Sequence, residues 1–368
     1  MIEQKNILFY MGHPAHYHNV SKVMPALSSN GHNVIIYARG KDVLFDLIED
    51  LPYKKYLLGI RKKENSKWSL IYTVLRRELQ LFRICLKEKP DILVGTDIVI
   101  THIGKLLGIP SIILNEDDAN AVPLLAKYGF KYSSCTLSPE CCDLGSFSDK
   151  KIGFNSYHEL AYLHPDHFTP EIEIFIKYYD RNKPLFLLRF AKLTAHHDDG
   201  IGGITNELAV KLVKILEPHG QIAITSEREL IDEIDRFRVS IHPSEIHHVM
   251  AFSDLYVGDS QTMAAEAGVL GVPFVRFNDF VGRLSYLDEL ENTYQMGYGF
   301  KTSQADEMIN KVSALISEPA LKNTFAQKRE KLLAGKINYA SFLIWFIENW
   351  PESKRIMQEE PGYQERFG

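Results

Sequence analysis

Three histidines lie close together near the start of the chain. The segment Gly12-His13-Pro14-Ala15-His16-Tyr17-His18 follows an apolar run at residues 7–11 that predicts a buried strand. Ligands of α/β sheets bind at the carboxyl ends of strands, and imidazole titrates near neutral pH, so His13 or His16 could act as a general base on a hydroxyl. Two alternatives stay open, helix-capping residues and a metal site. Because nothing acidic adjoins the histidines, we expect no metal there.

Two carboxylates follow later apolar runs in the same way. Asp97 comes shortly after the run at residues 91–94, and Glu116 follows the run at residues 111–114. Carboxylates at the ends of neighbouring strands can divide acid and base roles when their surroundings push their pKa values apart. Asp97 and Glu116 are therefore candidate catalytic residues. The alternative is that both are solvated or cap helices.

The second half of the chain contains a candidate anion site. An apolar run ends at Gly258, and a helix rich in Ala is predicted at residues 261–270. The tight turn between them directs unpaired backbone N–H groups and the positive end of the helix dipole beyond the sheet, which favours an anion such as a diphosphate. The candidate contacts are Ser260, Gln261 and Thr262. The alternative is that Ser260 is only an N-cap.

Other side chains of the second half could complete a nucleotide site. Glu266 lies one turn further along the predicted helix, where its carboxylate could accept hydrogen bonds from both hydroxyls of a ribose; otherwise it is a solvated helix residue. Arg189 and Arg276 stand at the ends of apolar runs, and His197 follows Arg189 in a segment rich in His, Lys and Asp. Cationic side chains at these positions could contact phosphate, although Arg also commonly stabilises domain boundaries.

The elements that must position these side chains alternate between strand and helix. Strands are predicted at residues 7–11, 34–37, 91–94, 111–114, 185–190, 221–225, 255–257 and 273–277. Helices are predicted at residues 43–51, 70–87, 119–128, 205–217, 228–236, 244–252, 261–270, 303–317, 319–333 and 338–349. This alternation predicts an α/β protein with two Rossmann-like doubly wound domains that face a cleft.

A chain of 368 residues is longer than one hydrophobic core usually serves. We expect an N-terminal domain at residues 1–165 and a C-terminal domain at residues 166–335, connected by the proline-containing stretch at residues 164–184. Residues 336–368 include a helix with a large aromatic face. We expect that helix to cross back and pack on the N-terminal domain.

Composition excludes several classes of function. The formal net charge is −5 and no long basic block occurs, which argues against a nucleic-acid partner. No signal-peptide pattern opens the chain, and no apolar run approaches the roughly 20 residues that span a bilayer. The four cysteines lack paired zinc spacing and are expected to be free thiols. We therefore expect a cytoplasmic protein without an integral membrane segment.

Residues 259–273 resemble the corresponding element of non-hydrolysing UDP-N-acetylglucosamine 2-epimerases. In those enzymes an Asp-Ser-Gly-Gly turn opens the helix, Glu-Glu occupies its middle and Leu-Gly-x-Pro ends it. The spacing here fits without a gap, and Glu266 falls on the second Glu. Gln261 and Thr262 stand where the epimerases have the glycine pair, and Ala265 stands where they have the first Glu.

The resemblance also extends to the first half. Asp97 and Glu116 are similar in position to the two acidic sites that serve proton removal and sugar–nucleotide bond cleavage in the epimerases. Glycosyltransferases of the glucuronosyltransferase type carry a catalytic histidine ahead of an x-Gly-His-x-Val segment, and His16 occupies the matching place before Asn30-Gly31-His32. The resemblance therefore implies His16 as the base of a transferase.

The chain as a whole is more similar to a sister family of unknown function that is widespread in archaea and bacteria. That family has an early x-Pro-x-His-x-His segment, an Arg-x-x-x-x-x-Ala-His-His-Asp segment and a Thr-Met-Ala-x-Glu-Ala helix. This sequence has each of them, beginning at residues 13, 189 and 262. The resemblance implies the glycosyltransferase-B fold and covers most of the chain.

Three functions remain open. A glycosyltransferase would take its sugar from a nucleotide-diphosphate sugar, a UDP-sugar being favoured, and would use His16 on an acceptor that the sequence does not name. A sugar-nucleotide epimerase would use Asp97, Glu116 and a histidine from the pair His196-His197. A binding protein would retain the fold without turnover. No cofactor is expected, and the resemblance to glycosyltransferase-B folds implies that metal is dispensable, because the helix and basic side chains stabilise the leaving diphosphate.

Overall fold

The computed structural model describes residues 3–40, 42–59, 67–191 and 202–368. The chain divides into two compact units. Unit 1 comprises Met1–Tyr162 and Ile337–Gly368, and unit 2 comprises Leu163–Lys336. The sequence predicts the corresponding boundaries at residues 165 and 335.

The helices and strands occupy the following positions in the described residues. The strands are β1 (Asn6–Met11), β2 (Asn33–Gly40), β3 (Lys54–Gly59), β4 (Ile92–Gly95), β5 (Ser111–Leu114), β6 (Cys135–Pro139), β7 (Lys151–Phe154), β8 (Leu185–Phe190), β9 (Gln221–Ser226), β10 (Leu255–Gly258), β11 (Phe274–Phe277) and β12 (Gly297–Phe300). The α-helices are α1 (Pro14–Ser21), α2 (Val23–Ser29), α3 (Asp42–Ile48), α4 (Lys67–Glu88), α5 (Ile98–Leu107), α6 (Pro123–Tyr128), α7 (Leu160–Leu163), α8 (Ile172–Ile176), α9 (Asn206–Leu216), α10 (Asp232–Asp235), α11 (Ile246–Ala251), α12 (Gln261–Leu270), α13 (Ser285–Asn292), α14 (Ala305–Ile316), α15 (Leu321–Ala334), α16 (Tyr339–Glu348) and α17 (Glu352–Glu359).

Unit 1 is built on a seven-stranded parallel sheet in the order β3-β2-β1-β4-β5-β6-β7. Ile7 of β1 pairs with Val34 of β2 on one side and with Ile92 of β4 on the other. The side chains of β1 are buried on both faces from Ile7 to Met11, as the apolar run predicts for a parallel strand covered by helices. The doubly wound α/β class predicted from the sequence is confirmed for this unit.

Unit 2 contains a five-stranded parallel sheet in the order β12-β11-β10-β8-β9. β10 lies in the middle of this sheet, between β8 and β11, and its residues are buried throughout. This is the order of a doubly wound sheet, because the chain adds β9 on one side of β8 and then β10, β11 and β12 in turn on the other side. The carboxyl ends of β8 and β10 therefore lie side by side, where such folds bind ligands.

The segment with the three histidines, which follows the predicted first strand, is largely helical. Helix α1 begins at Pro14, whose fixed φ suits the first helical position, and His13 is its N-cap because its Nδ1 accepts a hydrogen bond from the amide of Ala15 at 3.2 Å. Helix α1 is followed by α2, with Lys22 between them. Histidines 16 and 18 consequently lie on a helix.

The C-terminal segment belongs to unit 1. The amide of Asn155 donates to Oε1 of Gln364 at 2.6 Å, and the Ser156 hydroxyl donates to the carbonyl of Ile337 at 2.7 Å. The rings of Phe154 and Tyr339 are stacked with their centroids 4.2 Å apart. The aromatic face of α16 is thus buried against the end of β7.

Two further differences from the sequence-based expectations concern which segments form helices and strands. The stretch at residues 164–184, predicted as a connection, lies in unit 2 and contains α8, whose Phe175 is buried against Phe252. Strands β3, β6, β7 and β12 were not predicted, because they are short, polar or rich in glycine.

In the part of the chain that the structure describes, no helix is long and apolar enough to span a membrane.

Candidate functional site

The N-terminus of α12 lies directly beyond the carboxyl end of β10. Ser260 is the N-cap of this ten-residue helix, and its hydroxyl accepts a hydrogen bond from the amide of Met263 at 3.4 Å. Gln261 and Thr262 form the first helical positions and are half-buried. A helix that starts here directs its first N–H groups and its positive dipole end past the sheet, as an anion site requires.

Gly258 makes this turn possible. A Cβ atom at this position would lie 2.4 Å from the hydroxyl of Tyr256 and 2.8 Å from the carbonyl oxygen of Arg189 on the neighbouring strand. The backbone of β10 therefore passes β8 too closely for any side chain. This close approach places the start of α12 beside Arg189.

Glu266 is buried in the middle of α12 and is paired. Its Oε1 lies 2.9 Å from Nε2 of His247 on α11, and both side chains are more than nine-tenths buried. The ring of Phe168 meets the His247 ring edge-on, with the centroids 6.4 Å apart. The interpretation of Glu266 as a solvated residue is excluded by this burial. Sequence reasoning missed His247, since nothing in the spacing of residues 247 and 266 marks them as partners.

Asp259 holds the chain on both sides of residues 192–201. Its carboxylate accepts hydrogen bonds from the amides of Ala191 at 2.6 Å and Ile204 at 3.2 Å. Burial raises the pKa of Asp259 to about 6, and these hydrogen bonds oppose that shift. The guanidinium of Arg228 donates to the carbonyl of Ile204 beside it. Asp259 therefore links the end of β8 to the start of α12.

The predicted basic contacts of unit 2 differ in their accessibility. Arg189, at the end of β8, pairs with Glu227 and keeps about one fifth of its side chain exposed. Arg276, on β11, has no exposed side-chain surface and pairs with Glu291 of α13 and, at 3.6 Å, with Asp288. Arg189 can contact a ligand at the carboxyl end of β8, whereas Arg276 has no accessible surface with which to contact one. The predicted contact His197 lies outside the described residues.

His16 in unit 1 is held as a neutral imidazole. Burial of the ring, with smaller contributions from His13 and His158, lowers the pKa of His16 to about 3. The amide of Gly12 donates to its Nδ1 at 3.1 Å, and the Thr96 hydroxyl lies 2.7 Å from Nδ1 and 3.0 Å from Nε2. An accepting Nδ1 places the ring proton on Nε2. His13, by contrast, is exposed and acts as the N-cap of α1.

Glu116 faces a histidine that the sequence did not single out for catalysis. Nδ1 of His158, just after β7, lies 3.3 Å from Oε2 of Glu116 and 3.1 Å from Nδ2 of Asn19 on α1. The His158 ring is stacked on Phe154 and Tyr339, and burial lowers its pKa to about 3. Asn19 and His158 therefore bring α1 and the ends of β5 and β7 together.

Asp97 has a structural role in the described residues. Its carboxylate accepts the amide of Val99 at 3.0 Å as the N-cap of α5 and pairs with the buried guanidinium of Arg77 on α4. The Arg77 side chain, on the helix predicted at residues 70–87, is buried with this ion pair. Among the described residues, no group of three or more His, Cys, Asp or Glu side chains is arranged to hold a metal ion.

Comparison with solved structures identifies the fold. A MnaA-UDP co-structure from S. aureus has a TM-score of 0.67 at 14% identity, and a putative UDP-N-acetylglucosamine 2-epimerase from Listeria monocytogenes has 0.66 at 13%; each comparison covers 95% of this chain and 98% of the other. Spinosyn forosaminyltransferase SpnP has a TM-score of 0.63 at 13% identity, covering 97% of this chain and 100% of the other. The fold is therefore that of the glycosyltransferase-B enzymes and UDP-N-acetylglucosamine 2-epimerases.

The family follows from the sequence itself. A family model described as "Protein of unknown function (DUF354)" matches residues 6–333, and the chain belongs to that family. A search of curated proteins gave no match. The family of unknown function that the motifs indicate is confirmed, and so is the glycosyltransferase-B fold.

Proposed function

We propose that unit 2 binds a nucleotide-diphosphate sugar, with a UDP-sugar favoured, at the carboxyl ends of β8 and β10. The observation that carries the proposal is the buried pair of His247 on α11 and Glu266 on α12, the helix whose capped N-terminus adjoins β10. A carboxylate buried in a helix loses solvation, so its retention calls for a specific partner. A carboxylate offers about four acceptor sites, enough to serve His247 and a ribose together.

The diphosphate is assigned to the start of α12. Ser260, Gln261 and Thr262 are half-buried there, and the guanidinium of Arg189 lies at the end of the adjacent strand. Helix N–H groups and a guanidinium together stabilise the negative charge that develops on a leaving diphosphate. We expect activity to survive removal of divalent metals by a chelator.

The reaction that we propose is glycosyl transfer to a hydroxyl acceptor, as in the synthesis of a glycan or surface polysaccharide. Unit 1 supplies His16, which is uncharged at neutral pH because of its lowered pKa and is held by Gly12 and Thr96. To accept a proton from a hydroxyl, the ring must present an unprotonated nitrogen. Either the acceptor displaces the Gly12 amide from Nδ1, or the ring proton leaves Nε2 so that Nε2 can accept.

Epimerisation of the sugar nucleotide is the second candidate. It is favoured by the Glu116–His158 contact, which brings a carboxylate and an imidazole together beyond the ends of β5 and β7. A carboxylate and a histidine are the groups that such a proton transfer needs. A putative UDP-N-acetylglucosamine 2-epimerase is also among the structures of similar fold.

The test is thermal unfolding with UDP, GDP, dTDP and CMP, each alone and as a common sugar conjugate. A ligand at 100 times its dissociation constant adds about 2.7 kcal/mol to the folded state, which raises Tm by several degrees. The Glu266→Ala variant should lose the shift, and Glu330→Ala, which removes an exposed carboxylate on α15, should keep it. The absence of any shift with all four nucleotides and their conjugates would refute the proposal.

Turnover then separates the reactions. An epimerase needs only the nucleotide sugar, so incubation in deuterated water should exchange a sugar C–H proton without any acceptor. A transferase releases free nucleotide diphosphate faster when acceptors are added. Binding with neither reaction would leave the protein as a nucleotide-sugar binder.

A further inference from the structure

Helix α4 of unit 1 has apolar side chains on the face that points away from the core. Tyr72, Leu75, Leu79 and Leu86 are 58%, 57%, 50% and 56% exposed. Their spacing of three, four and seven residues places them along one side of the helix. We call these four residues the α4 stripe. It runs over about 21 Å, the rise of fourteen helical residues.

The opposite side of α4 holds the helix in place. Leu81, Ile84 and Cys85 are buried in the same core as β1 and β4. A helix that is anchored by one apolar face has no folding requirement for a second one. Four half-exposed large side chains in a row are more than the scattered single apolar residues of an ordinary surface. The α4 stripe therefore indicates a partner.

A row of cations borders the α4 stripe on one flank. Arg76, Arg83 and Lys87 follow one another at intervals of seven and four residues, and Arg83 and Lys87 are exposed. Within the part of the chain that the structure describes, no carboxylate lies within ion-pair distance of these three side chains, whereas Glu78 and Glu88 of α4 are each paired with a neighbour at 2.6–2.7 Å. The flank is thus a band of positive charge with no close carboxylate among the described residues, and Nζ of Lys87 lies 5.8 Å from the centroid of the Tyr56 ring.

We propose that the α4 stripe docks the protein on an anionic lipid surface. An amphipathic helix that lies in the plane of a membrane inserts its large apolar side chains, and Lys or Arg beside them meet the anionic headgroups. The α4 stripe and its basic flank supply both parts. Sugar-transfer enzymes that act on lipid-borne acceptors would gain from such docking, but the inference stands on α4 alone and does not rest on the proposed function.

Charge decides against a second copy of the chain as the partner. In antiparallel pairing of two α4 helices, Arg76, Arg83 and Lys87 would face the same three cations of the other copy, which is unfavourable. In parallel pairing the flank would face Glu78, whose carboxylate is already 2.6 Å from Nδ1 of His102. An anionic headgroup layer complements the flank at every point.

The experiment is flotation of the full-length protein with vesicles of phosphatidylcholine, with and without phosphatidylglycerol. We expect binding only to the phosphatidylglycerol vesicles and weakening by salt. Leu75→Ser with Leu79→Ser should reduce the partition coefficient at least about tenfold. Replacing Arg76, Arg83 and Lys87 by Gln should reduce it about fivefold per cation. The control, Ile176→Ser with Ile231→Ser, removes two exposed aliphatic side chains of unit 2 and should bind as the wild type does.

The proposal is overturned if the wild type does not float, or if the stripe variants float as well as the control. It is also overturned if sedimentation shows a dimer that the two Leu→Ser changes dissociate while no vesicle binding occurs, since a second copy would then cover the stripe. Nucleotide-induced thermal shifts, measured on the same variants, are expected to be unchanged. A missing shift in all proteins would refute the nucleotide proposal and leave the lipid result standing.

Discussion

Oε1 of Glu266 lies 2.9 Å from Nε2 of His247, and the two side chains are buried together between α11 and α12. A carboxylate in this position is oriented by its partner before any ligand arrives. The pair explains how a carboxyl side chain in the middle of an apolar helix is accommodated and has a defined orientation in the proposed site. His247 is therefore a positioning residue in the proposed site.

The first prediction concerns this pair. His247→Phe keeps a ring in place but removes the donor, so the buried carboxylate loses a hydrogen bond worth about 1–3 kcal/mol. We expect nucleotide affinity to fall about tenfold or more, measured by calorimetric titration. His247→Gln, which retains a donor, should recover part of the affinity, and His248→Asn, the adjacent residue, should leave it unchanged. Equal affinities for the Phe and Gln variants would show that His247 acts only through packing.

The second prediction concerns Asp259 and pH. Its pKa is about 6 in the folded protein against an ordinary value of 3.8, so between these values the folded state binds a proton that the unfolded chain has released. The contribution of Asp259 to the free energy of unfolding is therefore greatest below about pH 4, falls by about 3 kcal/mol as pH rises to 6, and is constant above. Urea unfolding of the wild type and Asp259→Asn from pH 4 to 7 measures the difference, which should vary with pH in this window. Parallel curves would contradict the assignment.

The third prediction separates two neighbouring histidines. His16→Ala should lower kcat of the proposed transfer by about a hundredfold or more while nucleotide affinity stays the same, because the base is lost but the site in unit 2 is intact. His13→Ala should cost only the N-cap of α1, about 1 kcal/mol of unfolding free energy, with kcat unchanged. Steady-state kinetics together with thermal unfolding distinguish the two. Unchanged turnover in His16→Ala would remove this residue from the reaction.

The fourth prediction concerns the close approach of β8 and β10. Gly258→Ala would place a methyl group 2.8 Å from the carbonyl of Arg189, so the strands must separate and the start of α12 must shift. We expect unfolding free energy to fall by about 1–3 kcal/mol and the nucleotide-induced thermal shift to diminish. Gly59→Ala, at an open position on β3, is the matched control. If both variants change the unfolding free energy and the nucleotide-induced thermal shift equally, the site does not depend on the close approach of β8 and β10.

The sequence by itself determined the class of fold and the element that carries the candidate site. Helix α12 has the predicted bounds of 261–270, and Gly271 after it has the left-handed φ of +85° that ends a helix. β5 and β8 also have their predicted bounds. These features are local, since apolar runs, helical periodicity and capping residues depend on near neighbours in the chain.

The tertiary structure decided which candidate side chains are accessible to a ligand and which are already paired with other residues. Arg276 and Arg189 look alike in sequence, each at the end of an apolar run, but Glu291 on a later helix holds Arg276 inside the unit. The partners of Glu266 and Glu116, His247 and His158, were likewise unpredictable. They come from elements 19 and 42 residues away, and burial and pairing at such distances arise only when sheet and helices pack together.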